Sequence, residues 1–104
     1  KIGRLVHAHA QLQIDSVSSP VGYARVLLPF TVKTQVEKEA LSIGPVLSAN
    51  VNYAAAGHQT VRAESNAEFC KIYTTPVDNS TWIIEEGDIF SVSDYFSFTL
   101  TFIT

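Results

Sequence analysis

A strict alternation of apolar and polar residues near the start of the chain most constrains what it can fold into. Every second residue over positions 6–14 is apolar, and the residues between them are His7, His9, Gln11 and Gln13. A repeat of two residues is the period of a β-strand, whose successive side chains point to opposite faces of a sheet. The segment therefore predicts a strand with one buried face and one polar face.

The last segment of the chain alternates in the same way, with aromatic residues on its apolar side. Over positions 94–103 the two sides are Phe96, Phe98, Leu100 and Phe102, and Tyr95, Ser97, Thr99 and Thr101. If the first and last strands pair, their polar sides merge into one nearly uncharged surface, which is more typical of a subunit interface than of a solvent-exposed face. The predicted interface residues are His7, His9, Gln11, Gln13, Tyr95, Ser97 and Thr99.

Between these segments, short apolar runs alternate with clusters of turn-forming residues. Further strands are predicted at 23–28, 46–53, 60–64, 68–74 and 82–84. This spacing predicts a single all-β domain over residues 1–104, an antiparallel β-sandwich or jelly roll of about seven or eight strands. Residues 33–41 alone have a helical composition, which is enough for one turn.

Composition narrows the class of protein further. Charged residues make up 16% of the 104 residues and hydrophobic residues 46%, which predicts a folded chain with one core. The net charge of −3, without any run of Lys or Arg, argues against nucleic-acid binding, and no apolar run is long enough to cross a membrane. Cys70 is the only cysteine and is predicted to be a small buried hydrophobe.

The sequence offers little support for catalysis. No nucleophile motif is present, and the acidic cluster Glu85, Glu86 and Asp88 is predicted to be a solvated turn. A glycosidase carboxylate pair and a weak calcium site are the alternatives for that cluster. We therefore expect a binding or assembly module without a cofactor and not an enzyme.

Three stretches together carry a resemblance to a known family. Positions 1–6 (KIGRLV) open a strand, positions 28–31 (LPFT) close the next, and the final Ser/Thr/Phe-rich strand ends in Phe102-Ile103-Thr104. In these stretches the chain resembles the C-terminal β-sandwich domains of bacteriophage tail fibres and related virion appendages. The resemblance implies a tumour-necrosis-factor-like sandwich, a homotrimer at the tip of a virion fibre that acts outside the cell. Because the chain opens at Lys1, we expect it to be the C-terminal fragment of a longer fibre protein.

The same resemblance implies that the domain binds a polysaccharide or a protein on the host bacterial surface during adsorption. Loops should carry the specificity, because a rigid scaffold tolerates change there. Candidate receptor-binding residues in the predicted turns are His58, Gln59, Asn66, Asp78, Asn79 and Trp82. For Trp82, packing in the core is an equal alternative. The alternative function is purely structural: a trimerisation or capping domain, or a virion appendage, without a receptor.

The two histidines of the first strand allow one further hypothesis. His7 and His9 are two residues apart, so both imidazoles project from the same face of the strand. We expect them to be neutral side chains in an interface or facing solvent. At a three-fold axis, however, three chains would supply six imidazoles, a set that suits octahedral metal binding.

Overall fold

The computed structural model describes residues 5–18, 20–33, 42–78 and 81–104 of the chain. In these ranges the chain forms seven strands and one 3-10 turn, Gly87–Ile89, and no α-helix. The strands are β1 (Leu5–Gln13), β2 (Arg25–Leu27), β3 (Ser42–Ala49), β4 (Gly57–Ala63), β5 (Phe69–Pro76), β6 (Ile83–Ile84) and β7 (Tyr95–Ile103). The all-β prediction of about seven or eight strands is confirmed. The helical turn predicted at 33–41 falls, apart from Lys33, outside the described residues.

All seven strands belong to one antiparallel sheet in the order β1-β7-β3-β4-β5-β2. Strand β4 occupies one edge of β5, and β2 and β6 pair with different parts of the other edge. The sheet curls so that its concave side, the inner face, encloses the core; the opposite side is the outer face. Residues from both ends of the sheet meet in one apolar cluster, which gives the sandwich-like arrangement expected from the sequence.

The first and last strands pair along their whole length, as the alternation predicted. The register places Leu5 opposite Ile103 and Gln13 opposite Tyr95. The apolar side of β7 is fully buried on the inner face, and Phe96 there packs edge-to-face on Phe90. Because the period of a strand is two, burial of this side places every polar side chain of β1 and β7 on the outer face.

Strand β3 joins the two halves of the sheet by changing partners midway. Its first half pairs with β4, from Ser42 to Pro45, and its second half pairs with β7, from Val46 to Ala49. Pro45 lies at the exchange, where a missing backbone N–H disturbs the ladder least. A Cβ atom at Gly44 would overlap the backbone carbonyl of Thr99, so only glycine allows this close approach to β7.

The boundaries of β3 differ from the predicted strand at 46–53. The strand begins at Ser42 and ends at Ala49, because Asn50 adopts a left-handed conformation with φ 66°. Asparagine is one of the few residues that tolerates this region, and it ends the ladder. The turn predicted at Ser65-Asn66 is confirmed, with Asn66 at φ 62° between β4 and β5. No helix in the described ranges is long and apolar enough to span a membrane.

Candidate functional site

A groove of about 260 Å³ opens on the outer face where β3, β4 and β5 lie side by side. Its lining residues are Ile43, Thr60, Arg62, Tyr73, Thr75 and Trp82. Strand β6 positions Trp82, because Ile84 pairs with Tyr73 and Ile83 with Thr74. The residue that precedes β6 is thereby held at the edge of β5. Trp82 is 56% exposed and therefore does not pack in the core.

Aromatic and cationic side chains form the groove together. The rings of Tyr73 and Trp82 meet edge-to-face, with centroids 6.4 Å apart. The guanidinium carbon of Arg62 lies 5.7 Å from the Tyr73 centroid and 6.0 Å from that of Trp82. Such contacts hold the guanidinium over the ring faces and fix its position. The groove therefore combines an exposed indole with a cation of fixed position.

The hydroxyl of Tyr73 is part of the same cluster and donates to Oε1 of Glu64 at 3.1 Å. Burial raises the pKa of Tyr73, the nearby Glu64 carboxylate raises it further, and Arg62 lowers it in part. The phenol thus remains protonated at neutral pH and serves as a hydrogen-bond donor. The hydroxyls of Thr60 and Thr75 give the aromatic groove a polar border, a combination suited to stacking and hydrogen-bonding a sugar ring.

The predicted receptor-binding residues lie in different places. Trp82 lines the groove, and His58 is exposed beside it, paired with Thr75. Gln59 projects from the other side of β4, where its Nε2 lies 3.5 Å from Oγ1 of buried Thr74. The alternation of β4 thus separates Gln59 from the groove although it adjoins His58 in sequence.

Asp78 and Asn66 lie at opposite ends of the β4–β5 hairpin. Asp78 follows β5 at the end where Gly57 pairs with Pro76 and where Val77 donates to the Ala56 carbonyl. Asn66 lies in the turn at the other end, about 20 Å away along a seven-residue strand. Asn79 lies outside the described residues. The loops around 54–59 and 76–78 therefore come together, whereas the turn at 65–67 does not join them.

Sequence reasoning missed Arg62 and Tyr73 as members of this site. Both lie on the outer face of the β4–β5 hairpin, whose turn at Ser65-Asn66 the sequence predicts. In this hairpin Thr60 pairs directly with Tyr73. Two-residue spacing places Arg62 beside Thr60, so the hairpin register could have indicated the cluster. The contribution of Trp82 could not be read in this way, because it depends on the pairing of the two-residue strand β6.

A second surface is the outer face of β1 and β7, where the residues of the predicted interface lie together. His7 pairs with Thr101, and its Nδ1 is hydrogen-bonded to the Thr101 hydroxyl at 2.8 Å. The other cross-strand pairs are His9 with Thr99, Gln11 with Ser97 and Gln13 with Tyr95. Beside them, Leu47 of β3 is 69% exposed and borders a shallow groove of about 190 Å³ that reaches His9.

The described residues contain no cluster of three or more His, Cys, Asp or Glu side chains able to hold a metal ion. One ring nitrogen of His7 already interacts with Thr101, which leaves its Nε2 for any further partner. Metal binding by His7 and His9 at a three-fold axis stays a prediction. Cys70 is buried on the inner face, and burial raises the pKa of its thiol to about 11.

The acidic segment at 85–88 is not wholly the solvated turn that the sequence suggested. Glu85 is buried, and its carboxylate accepts hydrogen bonds from the Thr74 hydroxyl at 2.5 Å and from the Ala54 backbone N–H at 3.1 Å. The prediction is wrong for Glu85 because donors distant in sequence supply the hydrogen bonds that stabilise its buried carboxylate. Glu86 and Asp88 are exposed, as predicted. Glu85 therefore ties Ala54 to Thr74 of β5, and it also lines a cavity of about 530 Å³.

Comparison with known protein families, with characterised proteins and with solved structures finds no match to this chain. Inference about its function thus depends on the geometry of the two outer-face surfaces and on the resemblance of the three stretches described above.

Proposed function

We propose that this chain is a binding module, the trimeric tip domain of a bacteriophage tail fibre, which attaches the virion to polysaccharide on the host bacterial surface. The observation that carries the proposal is the outer-face groove around Trp82. An exposed indole fixed by Tyr73, with Arg62 and threonine hydroxyls at its border, has the chemistry that binds a sugar ring. No catalytic role is included in the proposal.

Changing Trp82 to alanine tests the groove. Loss of one buried stacking contact should weaken glycan or host-cell binding by about 10-fold or more, since aromatic anchors of binding sites commonly contribute over 1 kcal/mol. The matched control is Val92→Ala, because Val92 is 59% exposed but lies in the turn before β7, outside the groove. Binding would be measured on a glycan array and on host cells. Equal binding by both variants, or no binding by the unaltered domain, contradicts the proposal.

A purely structural role in trimerisation or capping is the second candidate function. The outer face of β1 and β7 favours it, since this surface is uncharged and lies beside the exposed Leu47. We expect light scattering at micromolar concentration to give a trimer. A charge at the centre of this face, in Thr99→Glu, should dissociate the trimer, whereas Thr75→Glu on β5 should not.

Fusion of the domain to a foreign fibre separates the two functions. Transfer of host range favours recognition, whereas rescue of trimer assembly without a change of host favours the structural role. A monomeric domain contradicts both. Elemental analysis of the trimer tests the His-X-His hypothesis: about one metal ion for three chains is expected, lost in His7→Ala, and an absence of metal removes the hypothesis.

A further inference from the structure

The basic residues of the described ranges are unevenly distributed. The described ranges contain four Lys and Arg residues: Arg25, Lys33, Arg62 and Lys71. Three of the four form one row across the outer face, because Arg62 of β4 is directly opposite Lys71 of β5, and Lys71 is directly opposite Arg25 of β2. The row spans two strand spacings, about 10 Å. In a chain of net charge −3, this concentration of positive charge marks a distinct surface.

Each cation of this row is held against aromatic rings. Arg25 lies 4.8 Å from the centroid of Phe69, and the Lys71 ammonium lies 5.0 Å from the centroid of Tyr23. Arg62 lies over Tyr73, as described above. Cations held in this way lose little conformational freedom when an anion binds, so the row is preorganised for a negatively charged ligand.

A second groove, of about 310 Å³, continues from the first across the row. Its lining residues are Val21, Gly22, Tyr23, Arg25, Phe69 and Lys71. Because Arg62 of the first groove is paired with Lys71 of the second, the two grooves adjoin. The exposed side chain of Trp82 lines the first groove and that of Tyr23 the second. An extended ligand can thus contact an aromatic ring in each groove and the cations of the row.

The Nε atom of Arg62 is buried and has no hydrogen-bond partner among the described residues. An unsatisfied buried donor is uncommon in folded proteins and calls for an explanation. Carboxylates, phosphates and sulfates bind guanidinium groups through paired N–H bonds, and the Arg62 side chain, which lines the groove, is suited to such a ligand. The Oε1 atom of Glu64 accepts the hydrogen bond of the Tyr73 hydroxyl.

We infer that the outer-face site recognises an acidic polysaccharide, one that bears carboxylate, phosphate or sulfate groups along its chain. This inference rests on the proposed function and adds the chemical class of the glycan. A neutral glycan would not need the row of cations. A nucleic acid fits less well, because three cations in an acidic protein give too small a basic surface for its continuous phosphate backbone.

Two oligosaccharides that differ only in charge test the inference. Oligogalacturonate carries a carboxylate on each sugar, and its methyl ester has the same chain without the charge. Calorimetry with the whole chain should show the acid form binding at least 10-fold more tightly than the ester, and the difference should shrink as salt is raised. The same comparison on an array of acidic and neutral bacterial glycans covers other sugar backbones.

Lys71→Gln should weaken binding of the acidic glycan by about 10-fold or more, the usual effect of removing a charged hydrogen-bond partner. The control is Lys33→Gln, since Lys33 lies beside the end of β7, away from the row. This variant should bind the acidic glycan as tightly as the unaltered domain. Binding of neutral glycans only, or equal loss in both variants, overturns the inference but leaves the proposed function standing. Binding of no glycan overturns both, and tighter binding of single-stranded DNA overturns the assigned ligand class.

Discussion

Gly44→Ala is a strong test of how β3 joins the two halves of the sheet. The substitution adds one methyl group and removes nothing. That methyl would overlap the backbone carbonyl of Thr99, and a backbone carbonyl in the middle of β7 cannot rotate away as a side chain can. Strand β3 must instead move outward from β7, next to the point where Val46 begins its pairing with Phe98.

The size of the effect follows from opposing contributions. Overpacking in a tight interior costs about 1–3 kcal/mol, and each ladder hydrogen bond that stretches open costs about 1 kcal/mol. In the opposite direction, alanine restricts the unfolded chain and stabilises the protein by about 0.4–1 kcal/mol. With two ladder bonds affected, we expect a net loss of about 2–4 kcal/mol, a large part of the 5–15 kcal/mol typical of a domain.

Urea unfolding followed by far-ultraviolet circular dichroism measures this loss. At fixed protein concentration, the midpoint should fall by about 1 M or more with an unchanged slope. The control is Gly87→Ala, where the new methyl would lie 3.2 Å from the Cβ atom of Pro20 and 3.8 Å, an ordinary contact distance, from the backbone oxygen of Gly22. That variant should stay within about 1 kcal/mol of the unaltered domain. A midpoint for Gly44→Ala that is unchanged or higher would refute the described approach of β3 to β7.

Three further predictions concern buried side chains. Cys70 should resist thiol reagents at pH 8 until the domain unfolds. Because burial raises its pKa from 9.0 to about 11, the unfolded state releases the proton first and stability should fall between these pH values; rapid labelling of folded protein contradicts this. Phe96→Ala should cost about 3–5 kcal/mol in urea unfolding, and Phe96→Leu clearly less; equal losses refute the packing. Glu85→Ala leaves the Thr74 hydroxyl and the Ala54 N–H unsatisfied and should cost about 2–4 kcal/mol. Glu85→Gln, which keeps one acceptor, should cost less. If the two Glu85 variants had the same urea midpoint as the unaltered domain, the carboxylate would not have this role.

The outer strands could be predicted from the sequence because their pattern is local and long. Nine residues of strict alternation determine which side of β1 is buried, whatever strand lies beside it. The change of partners within β3 has no such local signal. It depends on how closely Gly44 approaches a strand more than fifty residues away in sequence, and a glycine followed by a proline also occurs in ordinary turns.

The candidate site was only partly predictable for the same reason. Trp82 could be predicted as a binding residue because tryptophan is a common anchor in binding sites. Arg62 and Tyr73 join it only through the pairings of β4 with β5 and of β5 with β6. For Glu85 the sequence predicts exposure to solvent, but the residue is buried. Adjacent carboxylates suggest a hydrated loop, and only the folded chain reveals that Thr74 and Ala54 provide the hydrogen bonds that allow its burial.

The pairing of Leu5 with Ile103 allows the domain to be circularly permuted. Residues directly opposite in an antiparallel pair have Cα atoms about 5 Å apart, so a linker of a few glycines can join the two positions without strain. New termini opened in the Ser65-Asn66 turn would then give a circular permutant with all seven strands intact. The Lys33 N–H donates to the Ile103 carbonyl and the Asn66 N–H to the Val32 carbonyl, so the new termini would lie at the same end of the molecule as the old ones. The attachment point would move from the β1–β7 pair to the β4–β5 hairpin, while all seven strands keep their pairing. A fused partner could thus be attached beside either half of the sheet without turning the domain over.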